Sequence, residues 1–293
     1  MMRIDNIVTG VFSEHHFSMA VREAQKLATV FKAKVRPVHV IETMGLNPFY
    51  PRETEETRLD ALKKFKEDVD HLYNKHGANH VEEPEVQIGR IHNELVRVAN
   101  SYSNSIIVVG RHNEGVLHKF LTTEAERIIA HAETPVWIHP HRNISRLPQT
   151  IVCAMDFSDN CKRAAEVAVM VAKSCAAQLY FVHVIPESSG YVDMEGQLNI
   201  YYPQEEIERE EMHQNIGSVL SDTVGKLDLE GLCYEEKILF GGAADGVSRL
   251  CSEVGAELLV MGSSSHSNLE KIFMGSTMRW LLNSFDQDIL VIP

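Results

Sequence analysis

The sequence is short of positive charge, and it lacks the long apolar run that would place a chain in a membrane. It has 28 lysines and arginines against 41 aspartates and glutamates, a formal net charge of −13. Such a surface repels a phosphate backbone, which argues against binding to DNA or RNA. No apolar run approaches the ~18 residues that span a bilayer, and no basic stretch followed by an apolar one opens the sequence. We therefore expect a cytoplasmic protein with no membrane span.

Cysteine is scarce and unevenly placed. All five cysteines lie in the second half of the chain, and no two of them form a C-x-x-C pair (Cys153, Cys161, Cys175, Cys233, Cys251). A disulfide framework or a zinc ribbon needs paired spacing, so free thiols in a reducing cytoplasm are expected. Cys153 falls in a predicted buried strand, where packing is a better interpretation than nucleophilic chemistry.

The motifs of the common nucleotide-using and acyl-transfer enzymes are also missing. The sequence has no G-x-x-x-x-G-K-[ST] loop, no kinase lysine and aspartate set, and no G-x-S-x-G turn. No general base and nucleophile stand together in the pattern. We assign no catalytic residue and no metal ligand, and we expect any ATP hydrolysis to be slow.

What the chain does contain is an internal repeat. The segment from Ile106, IIVVGRHNEGVLHKFLTTEAER, aligns without a gap with the segment from Leu258, LLVMGSSSHSNLEKIFMGSTMR, an offset of 152 residues. The openings match as well, because NIVTGVFSE from Asn6 corresponds to TIVCAMDFSD from Thr150. An internal period of this length predicts two domains that share one fold.

Each repeat alternates short apolar strands with helical stretches. Five strands separated by helices predict an open parallel sheet with helices on both faces, so the fold class is α/β. A long charged insert follows the second strand of each repeat, from Pro51 and from Pro203, and is predicted to be helical. The polar segment 139–149, with its two prolines, is the predicted linker. A cut near Arg146 gives domains at residues 1–146 and 147–293.

In such a sheet a ligand lies beyond the carboxyl ends of the strands, where the strand order reverses. Two loops of the second repeat open there: the turn with Asp156 after the first strand, and the loop after the fourth. The fourth-strand loop has Gly262 at the strand end and Ser265 three residues further on, and Gly275, Ser276 and Thr277 follow at a predicted helix start. Glycines let backbone N–H groups approach phosphate oxygens, and a helix N-terminus adds its positive dipole end. The pattern favours a polyphosphate site, with a glycine-capped surface turn as the alternative.

These residues resemble the universal stress protein family, whose motif after the fourth strand is G-x2-G-x9-G-[S/T]. The D-F-S turn at Asp156 and the V-H-V strand ending at Val184 are similar to the family too. The resemblance covers both repeats, so the chain is identified as a tandem member with two Rossmann-like (adenine nucleotide α-hydrolase-like) domains. The first repeat is similar to the E-type subgroup, in which a histidine follows the fourth strand and an F-x-T segment replaces the glycine loop.

The resemblance implies ATP, with Mg²⁺, in the second domain. Asp156 would meet the adenine or ribose side, Val184 would offer backbone hydrogen bonds to adenine, and Met261 would line the ribose. Gly262 would line the ribose and phosphates with Met261, and Gly275, Ser276 and Thr277 would hold the phosphate chain. The complete set of implied ligand-binding residues is Met155, Asp156, Val184, Met261, Gly262, Ser265, Gly275, Ser276 and Thr277. One departure weakens the expected affinity, because Ser265 stands where the motif has glycine.

The first repeat fails the same comparison. Gly110 remains, but Asn113, Thr123 and Glu124 replace the second glycine, the third glycine and the serine. A glutamate at the start of a phosphate-binding helix would set negative charge against negative charge. The first strand also lacks a counterpart of Asp156. We therefore expect a degenerate first domain that binds no ATP.

Two hypotheses from different classes remain. In the first, the protein is an ATP-binding regulatory module of the stress response, with the N-terminal domain as a scaffold. In the second, neither domain binds nucleotide, and the protein acts through protein, small-ligand or metal contacts in its N-terminal domain. A zinc site near His112 belongs to the second hypothesis, against the simpler interpretation of exposed polar loops.

The final strand of each repeat bears on assembly. PVWIH from Pro135 and DILVI from Asp288 are apolar edge strands, and proteins normally cover such edges. In the resembling family these strands pair across a dimer. The expectation is a pseudo-dimer of the two domains within one chain, with a homodimer as the alternative.

Overall fold

The computed structural model forms two compact units, Met1–Leu147 and Pro148–Ile292. It describes residues 3–11, 14–41, 63, 67, 80–111, 118–140, 146–186, 189–192, 198–201, 206–263 and 275–293. Among the helices within these ranges, none combines the length and the apolar character needed to cross a membrane.

Within the described residues, the first unit is a five-stranded parallel sheet with three helices. The strands are β1 (Asn6–Val11), β2 (Lys34–Ile41), β3 (Glu85–Ile88), β4 (Ser105–Arg111) and β5 (Val136–Pro140). The helices are α1 (Glu14–Phe31), α2 (Ile91–Asn100) and α3 (His118–His131). The order β5-β4-β1-β2-β3 places β1 between β4 and β2, so the strand order reverses between β1 and β4.

The second unit repeats this arrangement and adds a hairpin. Its strands are β6 (Thr150–Ala154), β7 (Gln178–Ile185), β8 (Ser189–Val192), β9 (Leu198–Tyr201), β10 (Tyr234–Phe240), β11 (Leu258–Gly262) and β12 (Asp288–Ile292). Its helices are α4 (Asp159–Cys175), α5 (Glu206–Val224), α6 (Ala243–Val254) and α7 (Ser276–Ser284). The parallel order is β10-β7-β6-β11-β12, while β8 and β9 pair only with each other, antiparallel.

The cores consist of the strands and one face of each helix. The central strands are apolar and buried along their length, as expected for parallel strands covered on both faces. Helix α4 buries an alanine- and valine-rich face against β11 and β6. Its start is set by Ser158, whose hydroxyl accepts the N–H of Cys161, and its end by Ala176 in the left-handed conformation.

The predicted α/β class, with two tandem Rossmann-like parallel sheets, is confirmed. Several boundaries differ. Helices α1 and α4 begin before the expected Ser18 and Lys162, in the second case because of the Ser158 cap. Strand β5 runs through Pro140, so His139 is a buried strand residue and the linker assignment was wrong there.

The charged inserts lie partly within the described residues. The second insert is helical as predicted, since α5 covers Glu206–Val224. The hairpin of β8 and β9 was not predicted, because its short strands alternate weakly in the sequence. In the first insert only Lys63 and Glu67 are described, both helical, and the remainder lies outside the described residues.

Candidate functional site

Three neighbouring strands of the second unit, β7, β6 and β11, end at the same edge of its sheet. The register pairs Ala154 of β6 with Met261 of β11 on one side and with Val182 of β7 on the other. The carboxyl ends of these parallel strands are therefore adjacent. Strand order reverses between β6 and β11, which is where an open α/β sheet offers a ligand crevice.

The turn after β6 holds Asp156 in a fixed position. Its carboxylate Oδ1 accepts hydrogen bonds from the backbone N–H of Ser158 at 3.0 Å and from the Ser158 hydroxyl at 2.6 Å. The backbone N–H of Asp156 lies 3.3 Å from the sulfur of Cys161. Because both carboxylate bonds use Oδ1 and the residue is exposed, Oδ2 can accept a hydrogen bond from a ligand.

Phe157, the next residue, is strained and supported by a histidine. Its φ of 63° is left-handed, which is uncommon outside glycine. Its ring stacks on His183 with centroids 4.6 Å apart and an interplanar angle of 30°. His183 Nδ1 lies 2.7 Å from the carbonyl oxygen of Met155. A carbonyl can only accept, so Nδ1 is the protonated nitrogen of that ring.

Val184 presents its backbone to the crevice. Met155 donates its N–H to the carbonyl of Val182 at 2.7 Å, so the peptide groups of Val182 point towards β6. Peptide directions alternate along a strand, so the N–H and C=O of Val184 point the same way. The β6 ladder ends at Ala154, so β6 offers no strand partner for these groups within the described residues. One backbone donor and one backbone acceptor therefore lie side by side at this end of β7.

Gly262 at the end of β11 meets the first turn of α4. A Cβ on this residue would lie 2.9 Å from both the carbonyl carbon of Asn160 and the amide nitrogen of Cys161. The side-chain amide of Asn160 donates to the carbonyl of Ser263 at 2.8 Å, and Ser263 is 2% exposed. The sequence pattern explained Gly262 by close approach to phosphate, whereas the structure gives it a packing reason.

Helix α7 begins at the predicted phosphate-side residues. Gly275 is its N-cap, has extended geometry and provides no side-chain cap. Ser276 is exposed and Thr277 half-buried, while Met278 anchors the turn in the core. The first N–H groups of an α-helix have no partner within the helix, so an uncapped start is suited to an anion. Ser265 lies outside the described residues.

A group of sulfur atoms lies under the Asp156 turn. The Met155 sulfur is 3.8 Å from that of Cys153 and 3.5 Å from that of Cys161. Burial raises the pKa of Cys161 to about 11 and that of Cys153 well above its usual value. Both thiols are therefore protonated at neutral pH, and the packing role expected for Cys153 fits its full burial.

The first unit differs at the matching position. The offset of 152 residues holds through α2 and α6, since Gly89 and Gly241 both have positive φ and precede their helices. It matches His92 with Ala244 and Glu124 with Ser276. In the first unit His92 Nδ1 lies 2.8 Å from Glu124 Oε2, with side-chain exposures of 7% and 15%.

Glu124 is therefore not where the sequence pattern set it. Helix α3 begins at His118, six residues before Glu124, so this carboxylate lies inside a helix and not at its start. Besides His92 it pairs with Arg127, one turn further on. Thr123 is also helical, and the first unit replaces the expected loop by helix at this point. Asn113 and His112, with the suggested zinc site, lie outside the described residues.

Sequence reasoning missed Ser158 and Asn160, and it took His183 as a satisfied residue of the V-H-V strand without identifying its partner, Met155. Only Ser158 has a local signal, because a serine just before an apolar-periodic run is typical of a helix N-cap. The contacts of Asn160 and His183 span 103 and 28 residues. No short motif in one sequence reports contacts of that kind.

Comparison with known proteins finds the same family in both halves of the chain. The profile of the Universal stress protein family matches residues 3–140 and again residues 148–293. Universal stress protein MJ0531 of Methanocaldococcus jannaschii is 28% identical over 154 residues, 52% of this chain and 85% of that protein.

Two solved structures match nearly the full length and show the fold. A universal stress protein from Archaeoglobus fulgidus has a TM-score of 0.67 at 19% identity, covering 99% of this chain and 97% of its own. A putative universal stress protein from Pseudomonas aeruginosa has a TM-score of 0.66 at 15% identity, covering 99% and 93%.

Proposed function

The chain belongs to the universal stress protein family, and from this premise we propose that it is a cytoplasmic, ATP-binding regulatory module with one nucleotide site, in its second unit. The observation that carries the proposal is the start of α7 at Gly275, where the described residues provide no side-chain cap, in the same unit as the Asp156 turn. Groups suited to binding an anion and a sugar thus occur in one unit.

The adenosine side of the proposed site consists of Asp156 and the backbone of Val184. Oδ2 of Asp156 would accept from ribose or adenine, because Oδ1 is held by Ser158. Met155 and Met261 are buried at the ends of their strands and would close the apolar floor under the nucleoside. The N–H and C=O of Val184 would bind the adenine edge.

The phosphate side consists of the first turn of α7 and the loop before it. Backbone N–H groups after Gly275, with the hydroxyls of Ser276 and Thr277, would donate to phosphate oxygens. Gly262 and Ser265 would guide the chain from β11 to this turn. Mg²⁺ would bind to the phosphate oxygens of ATP as their counterion, because the phosphate-side residues named here include no carboxylate that could ligate it.

The same site offers little to a transition state. Phosphoryl transfer needs a positioned nucleophile and charge neutralisation at the γ-phosphate. Backbone N–H donors stabilise the ground state and the transition state of ATP hydrolysis equally. They therefore raise the affinity for ATP without raising the rate of hydrolysis. We propose a binder whose ATP turnover lies well below the ~1–100 s⁻¹ of dedicated phosphoryl-transfer enzymes.

The proposal is tested with Asp156→Ala and the adjacent Asp159→Ala. Asp159 is exposed and pairs with Lys162 on the surface of α4, so it controls for the loss of one negative charge. Isothermal titration with Mg-ATP and with adenosine should show about a tenfold loss for Asp156→Ala, ~1.4 kcal/mol, and none for Asp159→Ala. Equal affinities in wild type and Asp156→Ala would contradict the proposed site. Single-turnover hydrolysis of labelled ATP at about one per second would contradict the binder role.

A further inference from the structure

The first turn of α4 contacts both loops of the proposed site. On one side Ser158 and Cys161 hold Asp156, through its carboxylate and its backbone N–H respectively. On the other side Asn160 contacts the chain where it leaves β11. One helical turn therefore joins the nucleoside-side loop to the phosphate-side loop.

We infer that Asn160 is a positioning residue of the second unit, whose side-chain amide fixes the course of the phosphate-side loop as it leaves β11. The inference rests on the proposed nucleotide site. Asn160 Nδ2 donates to the carbonyl of Ser263 at 2.8 Å and approaches the Ser263 hydroxyl at 3.3 Å. The residue contacted is the first one beyond the strand.

Two further observations show that the chain at Ser263 is held closely against α4 and β12. Gly262 packs on the backbone of Asn160 at a distance that no side chain would allow. Ser263 donates its own N–H to the carbonyl of Ile292 at 2.7 Å, so its peptide groups are bonded towards β12 and towards α4. Loss of the Asn160 amide would leave the buried Ser263 carbonyl without its side-chain donor, which is more costly than losing an exposed bond.

Loss of the Asn160 contact should weaken the binding of the phosphates more than the binding of the nucleoside. Asp156 and Val184 recognise the nucleoside through groups that do not depend on Ser263. Asn160→Ala should therefore weaken ATP about tenfold while changing adenosine less than about twofold. Asn160→Asp should weaken binding more strongly as phosphates are added, because its carboxylate faces the Ser263 oxygens and repels polyphosphate.

The experiment is equilibrium dialysis of wild type and both variants with ATP, ADP, AMP and adenosine. Two matched controls exist. Ser263→Ala keeps the 2.8 Å bond to the carbonyl, and Asn283→Ala removes an exposed amide that donates only to Arg279 within α7. Both should keep ATP affinity within about threefold.

Equal losses of ATP and adenosine in Asn160→Ala, or unchanged ATP affinity, would overturn the inference. Absence of all nucleotide binding in wild type would instead count against the proposed function. In that case hydrogen exchange at the Ser263 amide still decides the positioning role. Faster exchange in Asn160→Ala, by about tenfold, supports it, and unchanged protection overturns it.

Discussion

The two units carry side chains of opposite character at the same pair of matched positions. In the first unit the position of Ser276 is taken by Glu124, and that of Ala244 by His92, and the two side chains bond to each other at 2.8 Å. In the second unit the position holds the small hydroxyl residue Ser276, at a helix start where the described residues provide no side-chain cap. One unit thus pairs its polar side chains internally, and the other shows no such pair within the part of the chain that the structure describes.

The difference supports the proposal that the first unit keeps the fold without a nucleotide site. Glu124 brings its own negative charge to this position and pairs there with His92 and Arg127. Helix α3 begins at His118, six residues before Glu124, so this carboxylate lies inside the helix. On this basis we propose a scaffold role for the first unit and nucleotide binding for the second.

The largest expected effect comes from giving the second unit the residue of the first. Ser276→Glu places a carboxylate at the phosphate-side turn and should lower ATP affinity at least about a hundredfold, ~2.7 kcal/mol. The fold should tolerate it, because Ser276 is exposed and an acid in a first helical turn is favourable. Titration calorimetry measures the affinity, with Ser284→Glu at the exposed end of α7 as the charge control. An ATP affinity of Ser276→Glu within about threefold of wild type would contradict the claim that this position decides whether a unit binds nucleotide.

The second prediction concerns two matched glycines, Gly110, the penultimate residue of β4, and Gly262, the last residue of β11. Gly262→Ala should destabilise the second unit by about 1–3 kcal/mol, since its Cβ would meet the backbone of α4 at 2.9 Å. Gly110→Ala should stay within about 0.5 kcal/mol, because no atom of the described residues lies within 4 Å of the added Cβ. Urea unfolding of both variants checks this. Equal effects would mean that β11 and α4 are less closely packed than described.

The third prediction tests the internal pair of the first unit. A double-mutant cycle with His92→Ala and Glu124→Ala should give a coupling of about 1–2 kcal/mol, because both side chains are largely buried. The Glu94–Arg97 pair is the control, since its arginine is 57% exposed and its coupling should stay below about 0.5 kcal/mol. Couplings that do not differ would show that His92 and Glu124 are only neighbours.

The smallest effect is expected at Thr9, whose matched position in the second unit holds Cys153. Thr9 is fully buried, and its hydroxyl has no hydrogen-bond partner among the described residues. Thr9→Val should therefore stabilise the first unit by about 1 kcal/mol. Thr29→Val, at an exposed hydroxyl that bonds Gln25 within α1, serves as the control in thermal unfolding. A destabilised Thr9→Val would indicate that the hydroxyl is satisfied after all.

Much of the fold could be predicted because its signals are local. Apolar strands such as IIVVG and LLVMG, and the repeat itself, predict the parallel sheets without any contact information. The Phe157 turn and the Asn160 bridge could not be predicted, since each depends on residues distant in sequence. Glu124 was placed at a helix start because the gapless alignment carries no information about where α3 begins. The ligand roles of the residues from Met155 to Thr277 stay predictions.

The most direct test of the account is the stoichiometry of Mg-ATP binding, measured by isothermal titration on the full chain. The internal His92–Glu124 pair of the first unit and the helix start at Gly275 in the second predict a value near one nucleotide per chain, with at least about a hundredfold weaker binding in Ser276→Glu. Two nucleotides per chain, no binding to wild type, or a site that survives Ser276→Glu would contradict it.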